Sequence, residues 1–377
     1  MKIGIAGVGI TKFGELWDKS LEDLIVEAAT KAIEDSKLTK SKIDALFIGN
    51  MLYGKLANQD HLGALATSLL KINCPAFRIE AACASGGLAV HLAIQSILAG
   101  SYENVLVIGA EKMTDYPSNE ISLGLMGAGS EEERQAGLTF PGLYALIAKA
   151  HMQKYGTTKK QLAATAVKNH YHASLNSNAQ YPFEISIESV LKSSSIVDPL
   201  TLLDSSPITD GAAAIILSKN VKKGDVYIAG SAVSTDSLNL SERQSLTQMQ
   251  ATQDAAKKAY SQAKVTPSEI DLAEVHDCFT IAEILAMEDL GFCKQGEGGK
   301  FVESGKTRLE GSLPVNTSGG LKACGHPVGA TGVKQILEIA QQLKGLSGKR
   351  QVKKAKVGLT QNVGGTGATS VVHILKI

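Results

Sequence analysis

Residues 27–50, EAATKAIEDSKLTKSKIDALFIGN, recur 227 positions later as residues 254–277, DAAKKAYSQAKVTPSEIDLAEVHD. Nine of the 24 aligned positions are identical, among them Lys37/Lys264, Thr39/Thr266, Ser41/Ser268 and Asp44/Asp271. Each copy reads as an amphipathic helix, a polar turn and a short apolar strand. A single repeat at so long a period means duplicated halves, because solenoid repeats run about 20 to 50 residues.

Later elements match in the same order. In the first half a strand at Phe77–Ile79 leads through Ala81-Ala82-Cys83-Ala84-Ser85-Gly86-Gly87 into a helix ending near Gly100, followed by a strand at Asn104–Ala110. In the second half Gly325-His326-Pro327-Val328-Gly329-Ala330-Thr331-Gly332 leads into a helix at Val333–Leu343, then a strand at Lys356–Thr360 and a Gly-rich segment, Gly364-Gly365-Thr366-Gly367. Strands alternating with helices predict an α/β protein with parallel or mixed sheets covered on both faces. Small residues at both turns suit helices packed backbone to backbone. A layered α/β/α/β/α body with pseudo-twofold symmetry follows, with halves at 1–222 and 223–377. Residues 113–200 have no counterpart in the second half and read as a loop domain inserted over the first half.

Composition sets outer limits. The 377 residues are 44% hydrophobic and only 5% aromatic, so the core is built from Ala, Val, Ile and Leu. A net charge of +1 with both signs mixed gives no nucleic-acid footprint and no polybasic membrane patch. Five scattered cysteines (Cys74, Cys83, Cys278, Cys293 and Cys324) argue against a disulfide framework, and no CxxC pair suggests structural zinc. No run approaches the roughly 20 apolar residues that cross a bilayer. The start of the chain reads as a strand, not as a signal peptide or a dinucleotide loop. A reducing, cytoplasmic location is expected.

Cys83 stands at a strand-to-helix turn. Lone cysteines are more often small core residues than catalysts. Here the sulfur is expected to face the positive end of a helix, which favours thiolate, and small neighbours leave room for an acyl group. His276-Asp277-Cys278-Phe279 follows an apolar strand at Leu272–Val275, and strand ends of this kind are where α/β sheets bind ligands. His326 sits between Gly325 and Pro327, where packing gives little reason for an imidazole. Under the duplication the Cys83 and His326 turns are equivalent, so the pseudo-twofold brings them face to face. Cys324 is expected to be structural, His91 packed or on a polar helix face, and His151, His170, His172 and His373 ordinary surface or loop histidines.

The motifs AACASGG (Ala81–Gly87), HDCF (His276–Phe279), GHPVGATG (Gly325–Gly332) and NVGGTGA (Asn362–Ala368) resemble those of the thiolase superfamily. The HDCF form resembles the sterol-carrier-protein type and archaeal acetyl-CoA C-acetyltransferases. The resemblance runs from Ile3 to the C-terminus and implies the five-layer fold, with Cys83 as the acylated nucleophile. It also implies that His326 takes the thiol proton, that Cys278 exchanges the α-proton of the second acetyl-CoA, and that His276 organises one oxyanion site. The backbone N–H groups of Cys83 and Gly364 would form the other. Most thiolases carry their second catalytic Cys in the C-terminal Gly-rich loop; Asn362-Val363-Gly364-Gly365 has none, which leaves Cys278.

The activity implied is reversible condensation of two acetyl-CoA to acetoacetyl-CoA and CoA, with no cofactor and no metal. Alternatives are degradative 3-ketoacyl-CoA thiolysis on longer chains, a retro-aldol lyase or decarboxylating ketosynthase on this fold, or a non-catalytic acyl-CoA carrier. The resemblance also implies a homodimer or dimer of dimers. For an archaeal chain it implies a complex with hydroxymethylglutaryl-CoA synthase and an OB-fold zinc-ribbon protein that feeds mevalonate synthesis.

Overall fold

The computed structural model describes residues 2–377. Nine strands form the main sheet: β1 (Ile3–Ile10), β2 (Ala45–Gly49), β3 (Ala76–Ile79), β4 (Asn104–Glu111), β5 (Gly211–Ser218), β6 (Tyr227–Thr235), β7 (Leu272–Glu274), β8 (Val357–Gly364) and β9 (Thr369–Lys376). Their order is β3-β2-β4-β5-β1-β6-β9-β8-β7. The two halves are therefore mirror series, joined where β1 meets β6 at Ile3↔Ile228 and Gly4↔Tyr227, with the Ile5 N–H bonding the Val226 carbonyl just before β6. The second half has four strands. Its fifth survives as one parallel bridge, Ala273↔Val315, in the place where β3 lies beside β2.

The helices that place the site are α1 (Leu21–Ser36), α2 (Ser85–Leu98), α3 (Phe140–Tyr155), α4 (Lys159–Ser174), α5 (Gln250–Ala263), α6 (Thr280–Asp289), α7 (Gly320–Cys324) and α8 (Thr331–Leu343). Helix α1 covers the first half along β1, β5 and β4, and α5 covers the second along β6 and β9. Helices α2 and α8 touch each other and strands of both halves. They form the middle layer, and the five-layer expectation holds.

Positions shared by the two copies do equivalent work. Lys37 and Lys264 both end their helices in the left-handed conformation, at φ 58° and 53°. Thr39 and Thr266 each bond the serine two residues on, at 3.0 Å. Asp44 accepts the N–H groups of Glu103 and Asn104 at the start of β4, as Asp271 accepts those of Lys356 and Val357 at β8. These polar bonds fix where each crossover returns to the sheet, so their residue types are specified in both halves. Helix α1 adds its own start signal, a Ser20–Asp23 capping box ahead of Leu21, Leu24, Ile25, Ala28 and Ala32 on its buried face.

Two expectations need correction. The insertion does not lie over the first half alone: the parts around Ser118–Leu125 and Asn178, whose carbonyl accepts the Phe13 N–H at 2.9 Å, rest on the first half, whereas α3 and α4 pack on α6 and α7 of the second. Their apolar residues Leu143, Tyr144, Ile147 and Leu162 join a core with Ile281, Ile284 and Leu285. His151, His170, His172 and His373 are buried, with relative exposures of 0, 0, 0 and 1%. His151 bridges Thr157 and Glu288, His170 reaches the Phe183 carbonyl, His172 the Asn316 carbonyl and His373 the Gly87 carbonyl. An imidazole buries readily once a ring nitrogen has a partner, and the sequence does not display that partner.

The middle layer depends on missing side chains. A Cβ on Gly332 would lie 2.1 Å from the Gly87 nitrogen, and one on Gly86 2.6 Å from the Gly329 oxygen. Gly332→Ala is expected to destabilise the protein by about 1–3 kcal/mol or more, read as a lower urea midpoint. Gly127→Ala, where a Cβ meets nothing within 4 Å, should leave the midpoint unchanged.

Candidate active site

The strand ends converge on one cavity of about 210 Å³. Cys83 follows β3, His276 and Cys278 follow β7, Gly365 follows β8, and His326 precedes α8; all five line the cavity. The Cys83 sulfur and one ring nitrogen from each of His276 and His326 lie within 4.8 Å of one another. The face-to-face placement predicted from the duplication is observed.

Ala82, the residue before Cys83, is held at φ 52°, a conformation costing roughly 1–2 kcal/mol for a residue with a Cβ. Its N–H donates to Glu80 at 2.6 Å and its carbonyl accepts the Ser85 hydroxyl at 2.5 Å. This strained turn lifts the Cys83 sulfur toward two backbone N–H groups, its own and that of Gly365. The Gly365 N–H thus faces the nucleophile, one residue beyond the Gly364 expected at the oxyanion site. β8 continues through Gly364, which pairs with Thr369, so the Gly-rich turn begins only at Gly365. Gly365, at φ 62°, is where the chain turns into the site.

The hydrogen bonds assign the tautomers. Thr331 Oγ donates its single proton to the Pro327 carbonyl, so it accepts from His326 Nδ1 at 2.7 Å. His326 Nε2 therefore carries a lone pair. Asn362 Nδ2 donates to His276 Nδ1 at 3.3 Å and to the Cys83 carbonyl at 3.0 Å, while its Oδ1 accepts the Gly87 N–H at 3.1 Å. His276 Nε2 is consequently protonated, and that atom is buried with no partner. One histidine is set up to take a proton and the other to donate a hydrogen bond. The same logic bears on metal binding: Cys83, His276 and His326 look like donors for a thiophilic ion, but with Nε2 of His276 protonated the set is one ligand short.

Burial governs the charges. It pushes the Cys83 thiol up to about 12, against the two N–H donors, and pulls His326 down to about 3 with help from Lys334. His276 is held well below its usual value by burial and by His326, while burial raises the Cys278 thiol. Removal from water outweighs the helix-end dipoles that favour thiolate. Cys83 and His326 rest as a neutral pair, and proton transfer must accompany attack.

Three contributors were not read from the sequence. Tyr144, buried on α3, donates to the Gly365 carbonyl at 3.0 Å, stacks on Phe279 with ring centroids 4.7 Å apart, and lies beside the Cys278 thiol. Asn362 links Cys83, His276 and Gly87 through its side-chain amide. Asp277, between the two site residues, points away from the cavity and accepts the N–H groups of Leu321 and Lys322 on α7, at 2.6 and 3.2 Å. Only the buried face of an insertion helix signalled Tyr144, and that signal does not separate a core residue from a site residue.

Comparison with known proteins agrees with this geometry. Residues 3–221 match the family described as thiolase, N-terminal domain, and residues 232–377 that described as thiolase C-terminal domain-like. The chain belongs to the thiolase family. It is 47% identical to the acetyl-CoA acetyltransferase of Methanothermobacter thermautotrophicus over 99% of this chain and 98% of that protein. It is 33% identical to human sterol carrier protein 2, covering 98% of this chain and 71% of that one. Among solved structures, the Ltp2-ChsH2(DUF35) aldolase superposes with a TM-score of 0.85 at 24% identity, covering 99% of this chain and 97% of that one. The acetyl-CoA acetyltransferase of Syntrophomonas wolfei gives 0.75 at 20% identity, covering 100% and 99%. These distant likenesses establish the thiolase fold. Among the described residues no helix is long and apolar enough to cross a membrane.

Because only thiolate alkylates readily, the rate of Cys83 modification by iodoacetamide, followed by peptide mass spectrometry, is expected to climb between about pH 7 and pH 10. A rate already flat at neutral pH would mean a resting thiolate. His326→Ala should slow the neutral-pH rate by about 100-fold, the usual contribution of a positioned base.

Proposed function

We propose that this thiolase-family chain is an acetyl-CoA C-acetyltransferase, joining two acetyl-CoA into acetoacetyl-CoA and CoA and running the reverse cleavage. The observation that carries the reading is the convergence of Cys83, His276 and His326 within 4.8 Å, with Cys278 on the same cavity. The 47% identity to an acetyl-CoA acetyltransferase over nearly the full length supports it.

Cys83 Sγ attacks the thioester carbon as His326 Nε2 takes the thiol proton. The N–H groups of Cys83 and Gly365 receive the developing oxyanion, each such donor contributing on the order of 3 kcal/mol when aligned. His326 returns the proton to the departing CoA sulfur, leaving acetyl-Cys83. For the second substrate, the unpartnered His276 Nε2–H receives the thioester oxygen as it gains enolate character.

Cys278 exchanges the α-proton. In cleavage its resting thiol protonates the departing acetyl carbon; in condensation it first gives its proton to His326 Nε2 and takes the α-proton in its place, and His326 returns the first proton to the sulfur released from Cys83, so that both thiols and the imidazole end as they began. Burial is the chief reason Cys278 stays protonated, and the Tyr144 hydroxyl beside it acts in the opposite sense. Covalent holding of one acyl group splits a difficult step into two easier ones, and these groups suffice without a cofactor.

Brief exposure to acetyl-CoA is expected to add the mass of one acetyl group to Cys83, with no adduct in Cys83→Ala. Cys278→Ala should keep the adduct and lose condensation by about 100-fold or more; surviving condensation would remove Cys278 from the mechanism.

A second reading has its own support. Met113, Ile121, Leu125, Phe140, Ile208 and Val328 give the cavity an apolar wall, which suits acyl chains longer than acetyl. Thiolysis assays across a straight-chain 3-ketoacyl-CoA series test this, and activity confined to acetoacetyl-CoA would eliminate it. A homo-oligomer and a channelling complex with hydroxymethylglutaryl-CoA synthase and an OB-fold zinc-ribbon protein remain part of the proposal. Co-expression followed by gel filtration tests it, with separate elution counting against the complex.

A further inference from the structure

Glu111 ends β4 with its carboxylate fully buried, and the mechanism above gives it nothing to do. Four donors converge on it. Oε1 accepts the Leu52 N–H at 2.9 Å and Asn50 Nδ2 at 2.8 Å; Oε2 accepts the N–H groups of Met51 and Gly329, both at 3.0 Å. The first three belong to the segment after β2, in the first half. Gly329 belongs to the second half, three residues after His326 and two before Thr331, the hydroxyl that sets the His326 tautomer.

The loop from His326 to Thr331 touches the first half at bare backbone. A Cβ on Gly329 would lie 2.6 Å from the Gly49 oxygen and 2.7 Å from that of Ala110, so carbonyls at the ends of β2 and β4 press directly on it. Besides the packing of Val328 on Leu52, Met113 and Ile121, a neutral hydrogen bond ties the loop to the first half, from the His326 N–H to Thr209 Oγ at 2.9 Å. Hydrogen bonds to a carboxylate are roughly twice as strong as neutral ones. Four converging donors also call for a group with no N–H of its own.

We infer that Glu111 is a positioning residue which registers the His326 loop of the second half against the Cys83 half, and so sets the reach of His326 Nε2 to the Cys83 sulfur. The inference rests on the proposed function of the site. Glu111 acts through His326 and not through its charge on the nucleophile, because a nearby carboxylate pushes the Cys83 thiol up, away from reactivity. The two roles have opposite signs. Removing the charge alone would make Cys83 more reactive; losing the register makes it less so.

The experiment is a double-mutant cycle on the full-length protein, reading neutral-pH alkylation of Cys83 by iodoacetamide and acetyl transfer from acetyl-CoA to Cys83. Glu111→Gln is isosteric but turns an NH2 group toward two of the four donors. It is expected to slow both reactions by about 100-fold, the cost of a displacement on the order of 1 Å at a reacting group, with KM for acetyl-CoA within about threefold. In a His326→Ala background the same substitution should cost less than about threefold, because its effect is routed through the missing imidazole. Glu288→Gln, in the buried His151 pair remote from the site, is the control for lost stability.

Faster alkylation in Glu111→Gln, a full additional loss in the His326→Ala background, or a loss that follows the melting temperature as it does in Glu288→Gln would each overturn the inference. If Glu111→Gln fails to fold, the same measurements on Glu111→Asp, which keeps the charge but draws it back, decide by the same criteria. Wild-type protein that alkylates normally but takes no acetyl group would count against the proposed function instead. The alkylation arm would still judge Glu111.

Discussion

The site depends on one contact, the crossing of α2 and α8 at a distance where backbone meets backbone. Gly86 and Gly87 open one helix; Gly329 and Gly332 flank the start of the other, and no side chain fits between them. Helix axes ordinarily stay about 8–10 Å apart because side chains fill the space between them. Glycine at these positions removes the spacer, so the turns leading into the two helices come within reach of each other. Those turns carry Cys83 and His326. The chemistry follows from a steric fact about glycine before it follows from anything about sulfur or imidazole.

Close approach also removes water, and that sets the working condition of the site. Cys83, Cys278, His276 and His326 are all neutral at rest, because burial penalises charge on each of them. Such a cavity does not store a reactive anion. It offers directed dipoles instead, N–H groups at Cys83 and Gly365 and the protonated Nε2 of His276, aimed where the proposed reaction develops charge. In low dielectric such donors need no reorganisation as the charge develops. The neutral resting state is thus the complement of the strong stabilisation available in the transition state.

Behind the cavity lies a second region of buried polarity. Lys168 pairs with Glu283 at 2.7 Å and Lys334 with Glu274 at 3.2 Å, both pairs almost wholly out of water. Asn169 joins Asp277 to Glu283, and Asn316 donates to Glu283 and accepts from the Val275 N–H. Buried ion pairs roughly break even against desolvation, so net stability is not their evident contribution. Their geometry is directional, and it fixes the strand end that carries His276 and Cys278. The insertion closes the other side, where Tyr144 and Phe140 line the cavity. One face of the site is held by polar bonds and the other is shaped by apolar packing.

The chain alone determined the duplication, the layered order and the four side chains, Cys83, His276, Cys278 and His326, that meet at the cavity. Repeats, periodicity and turn chemistry are local properties, and a shared Lys37/Lys264 or Asp44/Asp271 does the same local work in each half. Only the tertiary structure decided that α3 and α4 rest on the second half, that four histidines expected outside are buried, and that the Gly365 N–H faces the nucleophile. It alone decided the tautomers of His276 and His326 and the protonation of Cys83. Each of these depends on partners far apart in sequence: Gly87 and Cys83 on Asn362, Glu111 on Gly329, Tyr144 on Gly365. A residue type announces what a side chain is able to do. Its charge, tautomer and aim are set by neighbours that only folding supplies.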